Sequence, residues 1–368
     1  MNKLKILIIT NLPVPYKIDF YRELSKFHDI TVIFEGKRTQ SQKFDWNDKK
    51  EDCFKSIYLS DLIENKVYFK VIKYLNHKFD MIFITAFHTP TGILSLLTLK
   101  FKRIKYIFEM DGAFPQTKEN PIKYLLKKFL IKGAQRYFSP CKETDAYLEQ
   151  YNVPKNLIIR YPFASYKEAD ILTAPLSTKE KEIIKSQLGI KEPKIIISVG
   201  QFIPRKGHDI LIKALKLIND SNIGCYIIGD KPSNEYMALK EKYKLYNLHF
   251  VDFMNQKDLA KYYQAADIFT FPTREDIWGL VVNEAMSNGL PVITTNRCNA
   301  GLEMINTQNG YIINVEDSKE LANKILYLLN NNEKRISMSH YAIKTAKQYS
   351  IESMTKTHIN IIEKIDNI

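Results

Sequence analysis

The sequence predicts an α/β protein of two domains, each a parallel sheet covered by helices. Short runs of apolar, largely β-branched residues alternate with longer amphipathic stretches along nearly the whole chain. Such runs lack the in–out alternation of a half-exposed strand, as expected for parallel strands buried on both faces. The rhythm breaks once, over the polar stretch 165–191. A length of 368 residues is long for one core and comfortable for two.

In chain order, the apolar run at 5–10 (KILIIT) opens the first sheet, and further strands are expected at 30–34, 81–85, 106–109, 136–139 and 157–160. Helical periodicity fills 18–26 and 66–75 between them. The interruption holds Pro175, a helix start at Ser177-Thr178 and a charged run over 179–185. Strands resume at 194–199, 224–229, 248–251, 268–272, 291–295 and 310–313, with helical periods at 209–217 and 321–329. The expected domains are therefore 1–170 and 171–350, both Rossmann-like, with a last helix near 351–365 that reaches back within 351–368. Two such domains facing each other would place ligands at the carboxyl ends of the strands.

Composition narrows the class of function. The chain is 45% hydrophobic and 26% charged, which excludes a disordered or fibrous protein. No window offers the roughly twenty apolar residues of a membrane helix, and the first apolar run is too short for a signal-peptide core. Cys53, Cys141, Cys225 and Cys298 are far apart with no C-x-x-C pair, so neither structural zinc nor a disulfide framework is expected, and a cytoplasmic location is. The net charge of +13 is uneven, +10 over residues 1–170 and +3 over 171–368. That imbalance points to a polyanionic partner or to a lysine-rich solvated surface.

Four stretches carry chemistry. Residues 198–209 (SVGQFIPRKGHD) run from a strand through Gly200, the cations Arg205 and Lys206 and a second glycine, Gly207, into a helix. Gly200 suits close backbone approach to a ligand, Gly207 suits a tight turn, and the cations with the helix start suit a diphosphate. The spacing fits neither a dinucleotide G-x-G-x-x-G nor a P-loop. Residues 271–291 (FPTREDIWGLVVNEAMSNGLP) lead from a strand through an acidic loop into a short helix closed by Gly289 and Pro291. Asp276 belongs to the loop and Glu284 to the helix, where its apolar neighbours imply burial with a partner. Carboxylates so spaced can bracket a polyhydroxylated ligand. Residues 106–114 (YIFEMDGAF) place Asp111 in a loop after a strand, either as a site carboxylate or as a turn former; His88, after another strand, ranks below it. The segment from Pro121 sets Ile122, Leu125, Leu126, Phe129 and Leu130 beside Lys123, Lys127, Lys128 and Lys132. Its stripe either packs on the sheet or rests on anionic lipid.

The first two stretches, in this order and separation, resemble the retaining family-4 glycosyltransferases of the GT-B fold, of the type that builds bacterial surface polysaccharides such as capsule and O-antigen. The resemblance extends through 259–271 (LAKYYQAADIFTF), 300–303 (AGLE) and Asn309-Gly310, and more weakly through 11–24, 89–92 and Asp111-Gly112. It implies that Lys206, with Arg205 beside it and Gly200 before them, grips a donor diphosphate. The family's usual Arg after the strand-ending glycine is Gln201 here. The family's E-x7-E pair falls on Asp276 and Glu284, with Glu284 on the ribose and Asp276 towards the donor sugar. Trp278, Gly279 and Leu280 would contact sugar or phosphate, and Asp252, Phe253 and Met254 would lie against the base. Asp111 stands where many relatives carry a His near the reacting sugar.

The expected function is transfer of a sugar from a nucleotide-sugar to a hydroxyl of a glycan or lipid-linked glycan, with retention. No metal or resident cofactor is expected; the nucleotide-sugar is substrate. The expected partners are that donor, the acceptor and the face of an anionic membrane, with no nucleic acid. The competing readings are a sugar-nucleotide epimerase or hydrolase of the same fold, and a non-catalytic basic protein that binds membranes or nucleic acid.

Overall fold

The computed structural model describes residues 3–38 and 53–366. They divide into two compact units, residues 1–164 with 351–368, and residues 165–350.

The first unit contains β1 (Lys5–Thr10), α1 (Pro15–Ser25), β2 (Asp29–Phe34), β3 (Lys55–Tyr58), β4 (Met81–Ile84), α2 (Pro90–Phe101), β5 (Ile107–Glu109), α3 (Pro121–Ile131), β6 (Arg136–Ser139), α4 (Lys142–Gln150) and β7 (Ile158–Arg160). The strands form one parallel sheet in the order β3-β2-β1-β4-β5-β6-β7. β1 is central: Ile6 pairs with Ile30 on one side and Met81 on the other, so Ile6, Leu7, Ile8 and Ile9 are all buried. That double burial is why the strand reads as an unbroken apolar run.

The second unit contains α5 (Thr178–Leu188), β8 (Lys194–Val199), α6 (His208–Ile218), β9 (Ile223–Gly229), α7 (Asn234–Lys242), β10 (Leu248–Asp252), α8 (Gln256–Ala265), β11 (Ile268–Phe271), α9 (Leu280–Ser287), β12 (Val292–Thr295), α10 (Asn299–Met304), β13 (Gly310–Ile313), α11 (Ser318–Asn330) and α12 (Asn332–Gln348). Its six-stranded parallel sheet runs β10-β9-β8-β11-β12-β13. α5 begins with a capping box in which Ser177 and Glu180 satisfy each other's backbone N–H groups, and it ends on left-handed Gly189. The final helix, α13 (Ile351–Asp366), packs on α1 in the first unit.

Three details differ from the sequence reading. Residues 165–170 pack with the second unit: Ser165 donates from its N–H and its hydroxyl to the Asn283 side chain, each at 3.1 Å. β3 was not foreseen; it is a short edge strand whose residues are only partly covered, so it lacks an apolar run. The helical period at 66–75 is realised as a 3-10 helix, Phe69–Tyr74, with Val71 its one buried residue. Among the described residues no helix is long and apolar enough to cross a membrane.

Candidate functional site

In the second unit, β8 and β11 are neighbours, yet the chain leaves β8 towards β9 and β10 and leaves β11 towards β12 and β13. The loops after these two strands therefore diverge at the point where an open sheet has its crevice. They are the cationic loop 200–207 and the acidic loop 272–279. Sequence order separates them by about seventy residues; sheet order brings them together.

The two loops are stitched to each other. The Arg274 N–H donates to the Arg205 carbonyl at 2.8 Å, the Thr273 hydroxyl to the same carbonyl at 2.9 Å, and an Arg205 guanidinium N–H to the Glu275 carbonyl at 2.8 Å. Gly207 makes the fit possible. It adopts φ +69°, and a Cβ there would lie 1.9 Å from the Pro272 carbonyl oxygen. Arg274 also grips both Asp209 carboxylate oxygens at 2.9 Å and pairs with Glu316. For Asp209 the desolvation of partial burial is outweighed by this guanidinium, which holds the carboxyl below its ordinary range.

Asp276 is the centre of the charge constellation. Its carboxylate accepts a short hydrogen bond from the Lys206 ammonium and lies 3.9 Å from Arg205. The Trp278 N–H donates to its other oxygen at 3.3 Å. Its backbone is fixed by an N–H bond to the Arg297 carbonyl at 2.8 Å. Lys206 sits over the Phe271 ring, 5.1 Å from the centroid. Helices α6 and α9 both begin at a left-handed glycine, Gly207 and Gly279, with no side-chain cap. Two cations and two helix N-termini at one sheet edge suit the binding of a diphosphate.

Glu284 lies in α9, part-buried, where it accepts the Tyr263 hydroxyl at 3.1 Å. Burial pushes its carboxyl up to about 7, only partly offset by that bond. Burial and the Glu284 charge together raise the phenols of Tyr263 and Tyr166. His208 is fully buried against the Gly200 carbonyl at 3.3 Å, and burial pushes it down to about 4, so it is neutral.

Other expected residues fall into place unevenly. Gly200 is not itself the point of closest approach within the unit: a Cβ there would meet Lys206 at an ordinary 3.5 Å. The close contact falls on Gly229 instead, whose Cβ would lie 2.2 Å from the Gly200 carbonyl oxygen. Phe253 is exposed and Met254 half-exposed in the loop after β10, next to exposed Asp252. Trp278 faces away from solvent: its indole is buried, 6.3 Å from the Tyr349 ring, and its carbonyl accepts the Ala300 N–H at 2.7 Å. At that end of the loop Ile277 is exposed and Leu280, which opens α9, is half-buried.

In the first unit the direction of the connections changes between β1 and β4. Asp111, after β5, is paired with Lys17 of α1 at 3.1 Å, and Lys17 is buried and also donates to Thr10 at 3.2 Å. His88, after β4, is lowered by burial and then by the Lys17 charge. Glu35, at the end of β2, is buried against the Thr89 hydroxyl, and burial pushes it up to about 7. Lys17, Glu35, Tyr263 and Arg274 were not singled out from sequence. No sequence pattern marks Lys17 or Arg274; only the folded register supplies their carboxylate partners.

Residues 180–345 match the family model described as glycosyl transferases group 1. The chain is 31% identical over 136 residues to the Escherichia coli lipopolysaccharide glucosyltransferase WaaG, covering 36% of each chain. It is 30% identical over 154 residues to the capsular polysaccharide biosynthesis glycosyltransferase CapM of Staphylococcus aureus, covering 40% of this chain and 39% of that one. The matches span about half the length of the first curated relatives or less. Among solved structures, Anabaena Alr3699/HepE in complex with UDP and glucose superposes with a TM-score of 0.79 at 16% identity, over 98% of this chain and 99% of that one.

Proposed function

We propose that the protein is a glycosyltransferase that moves a sugar from a nucleotide-sugar to a hydroxyl acceptor with the anomeric configuration retained, a reading supported by the match of residues 180–345 to the glycosyl transferases group 1 model and by the fold shared with Alr3699/HepE. The observation that carries this reading is the cluster of Lys206, Arg205 and Asp276, joined by sheet order at the mouth between β8 and β11. Lys206 and Arg205 take the donor diphosphate, Glu284 accepts from the ribose hydroxyls, and Asp276 faces the sugar. A UDP-sugar is the donor to try first, given what Alr3699/HepE was crystallised with.

In the reaction the bond from the anomeric carbon to the diphosphate oxygen breaks, and a bond to the acceptor oxygen forms on the same face. The acceptor proton passes to the departing phosphate. Charge grows on the leaving diphosphate, so cations and helix-terminal amides aimed at it stabilise the transition state more than the ground state. On the first unit, Asp111, oriented by Lys17, is assigned to a sugar hydroxyl. The capsule and lipopolysaccharide roles named for CapM and WaaG favour a glycan or lipid-linked glycan acceptor, and dependence on a nucleotide-sugar favours a cytoplasmic enzyme. The test is release of nucleoside diphosphate from a panel of nucleotide-sugars, with and without a lipid-linked glycan. Acceptor-dependent release lost in Lys206→Ala supports transfer; release without any acceptor points instead to a hydrolase.

A further inference from the structure

The fold supplies Glu284 with one partner. Tyr263 lies in α8, fully buried, with its ring edge-on to Phe269 of β11 at 5.8 Å. From that seat its hydroxyl donates to Glu284 Oε2 at 3.1 Å, tying α8 to α9. Burial and then the Glu284 charge hold the phenol well above its ordinary value, so it remains a donor. Among the described residues this phenol is the only hydrogen-bond partner of the carboxylate, and no cation pairs with it. The other titratable group near it is Tyr166, from the segment before α5, whose hydroxyl accepts from the Asn288 side chain at 3.4 Å.

A phenylalanine would fill the same seat against Phe269, so packing alone does not call for the hydroxyl. Its bond engages one lone pair of Oε2. Each carboxylate oxygen accepts two hydrogen bonds, which leaves Oε1 and the second lone pair of Oε2 for two hydroxyls. A free glutamate side chain must be ordered when ligand binds; one tied at Oε2 is ordered beforehand.

We propose that Tyr263 is a positioning residue of the nucleotide site, fixing the Glu284 carboxylate so that its remaining lone pairs take the neighbouring hydroxyls of the ribose. The proposal rests on the assignment of Glu284 to the ribose and goes beyond it, since Tyr263 acts on the nucleotide only through Glu284.

The test is calorimetric titration with UDP, GDP and ADP, and with the analogue of the tightest binder that lacks both ribose hydroxyls. Tyr263→Phe keeps the ring and removes only its hydroxyl. It should weaken the nucleotide about fivefold, which is what ordering one rotamer-rich side chain costs. It should leave the analogue bound as before, whereas a loosened core would weaken both. Added to Glu284→Gln, it should change nothing further. The bond it removes lowers the Glu284 carboxyl, so the pH at which nucleotide affinity rises should move upward. Tyr262, the neighbour in α8, lies 6.2 Å from the Tyr226 ring instead, and Tyr262→Phe should match the wild type. Equal weakening of both ligands by Tyr263→Phe, or of neither, overturns the proposal while Glu284→Gln still reports the ribose contact. Unchanged nucleotide binding in Glu284→Gln, or no binding of any of the three by the wild type, removes the ribose assignment and the proposal with it.

Discussion

Replacing Asp276 by Asn should make the protein bind nucleoside diphosphate more tightly while transferring sugar more slowly. In the structure the Asp276 carboxylate holds the Lys206 ammonium and stands 3.9 Å from Arg205. A bound diphosphate must take those cations over and accept a carboxylate as neighbour. Two unit charges 3.9 Å apart interact by about 4 kcal/mol at an effective dielectric of ~20. Part-exposed pairs retain only about 1 kcal/mol of that after desolvation and ordering. Removing the competitor should therefore tighten diphosphate binding by about 1 kcal/mol, roughly fivefold. The same change leaves Lys206 without its partner and costs the free protein about 1 kcal/mol, a fall of roughly 2–4 °C in Tm for a domain of this size. Calorimetric titration of UDP into both proteins, with melting curves of each, gives both numbers. If Asp276→Asn binds the diphosphate no better than wild type, the pair does not compete with the ligand and this reasoning fails.

Other outcomes follow from the same geometry. Glu284 is pushed up to about 7 by burial, and only its ionised form accepts bonds from two ribose hydroxyls, so nucleotide affinity should rise as pH climbs from about 6 to 8. Glu284→Gln should flatten that profile in a pH-series of titrations. Glu35, also raised to about 7 by burial, binds its proton more tightly folded than unfolded. It stabilises fully below the unfolded value near 4.5, and that contribution is lost as pH rises through about 7. Urea unfolding at several pH values should show Glu35→Gln removing part of this slope, the Glu284 part remaining. Gly207→Ala meets both the left-handed φ and the Pro272 carbonyl at 1.9 Å and should cost at least about 2 kcal/mol, lowering Tm by roughly 4–8 °C.

The strands were legible because a parallel sheet buries its residues on both faces, which leaves an apolar run such as 194–199 no alternative reading. β3, half-covered at an edge, has no such constraint and left no signal. The loops that end strands were legible as loops, and Lys206, Asp276 and Glu284 stood out as charges beside glycines and apolar residues. Their mutual pairing was not: it follows from β8 lying next to β11, a fact of sheet order. The same holds for Lys17 beside Asp111, and for Arg274, whose partner Asp209 is 65 residues away. Periodicity located the α3 stripe but left open which side it faces, because that is decided by Tyr124, Leu130 and Ile131 finding partners elsewhere in the unit.

The central claim is that Lys206 grips the diphosphate of a nucleotide-sugar, and its most direct test is thermal stability against UDP-, GDP-, ADP-, dTDP- and CMP-sugars for wild type and Lys206→Ala. A donor at a hundred times its dissociation constant adds about 2.7 kcal/mol, a shift of several degrees. The account predicts that one nucleotide class shifts the wild type and leaves Lys206→Ala unmoved. A shift of equal size in both proteins, or none in the wild type with any nucleotide-sugar, contradicts it.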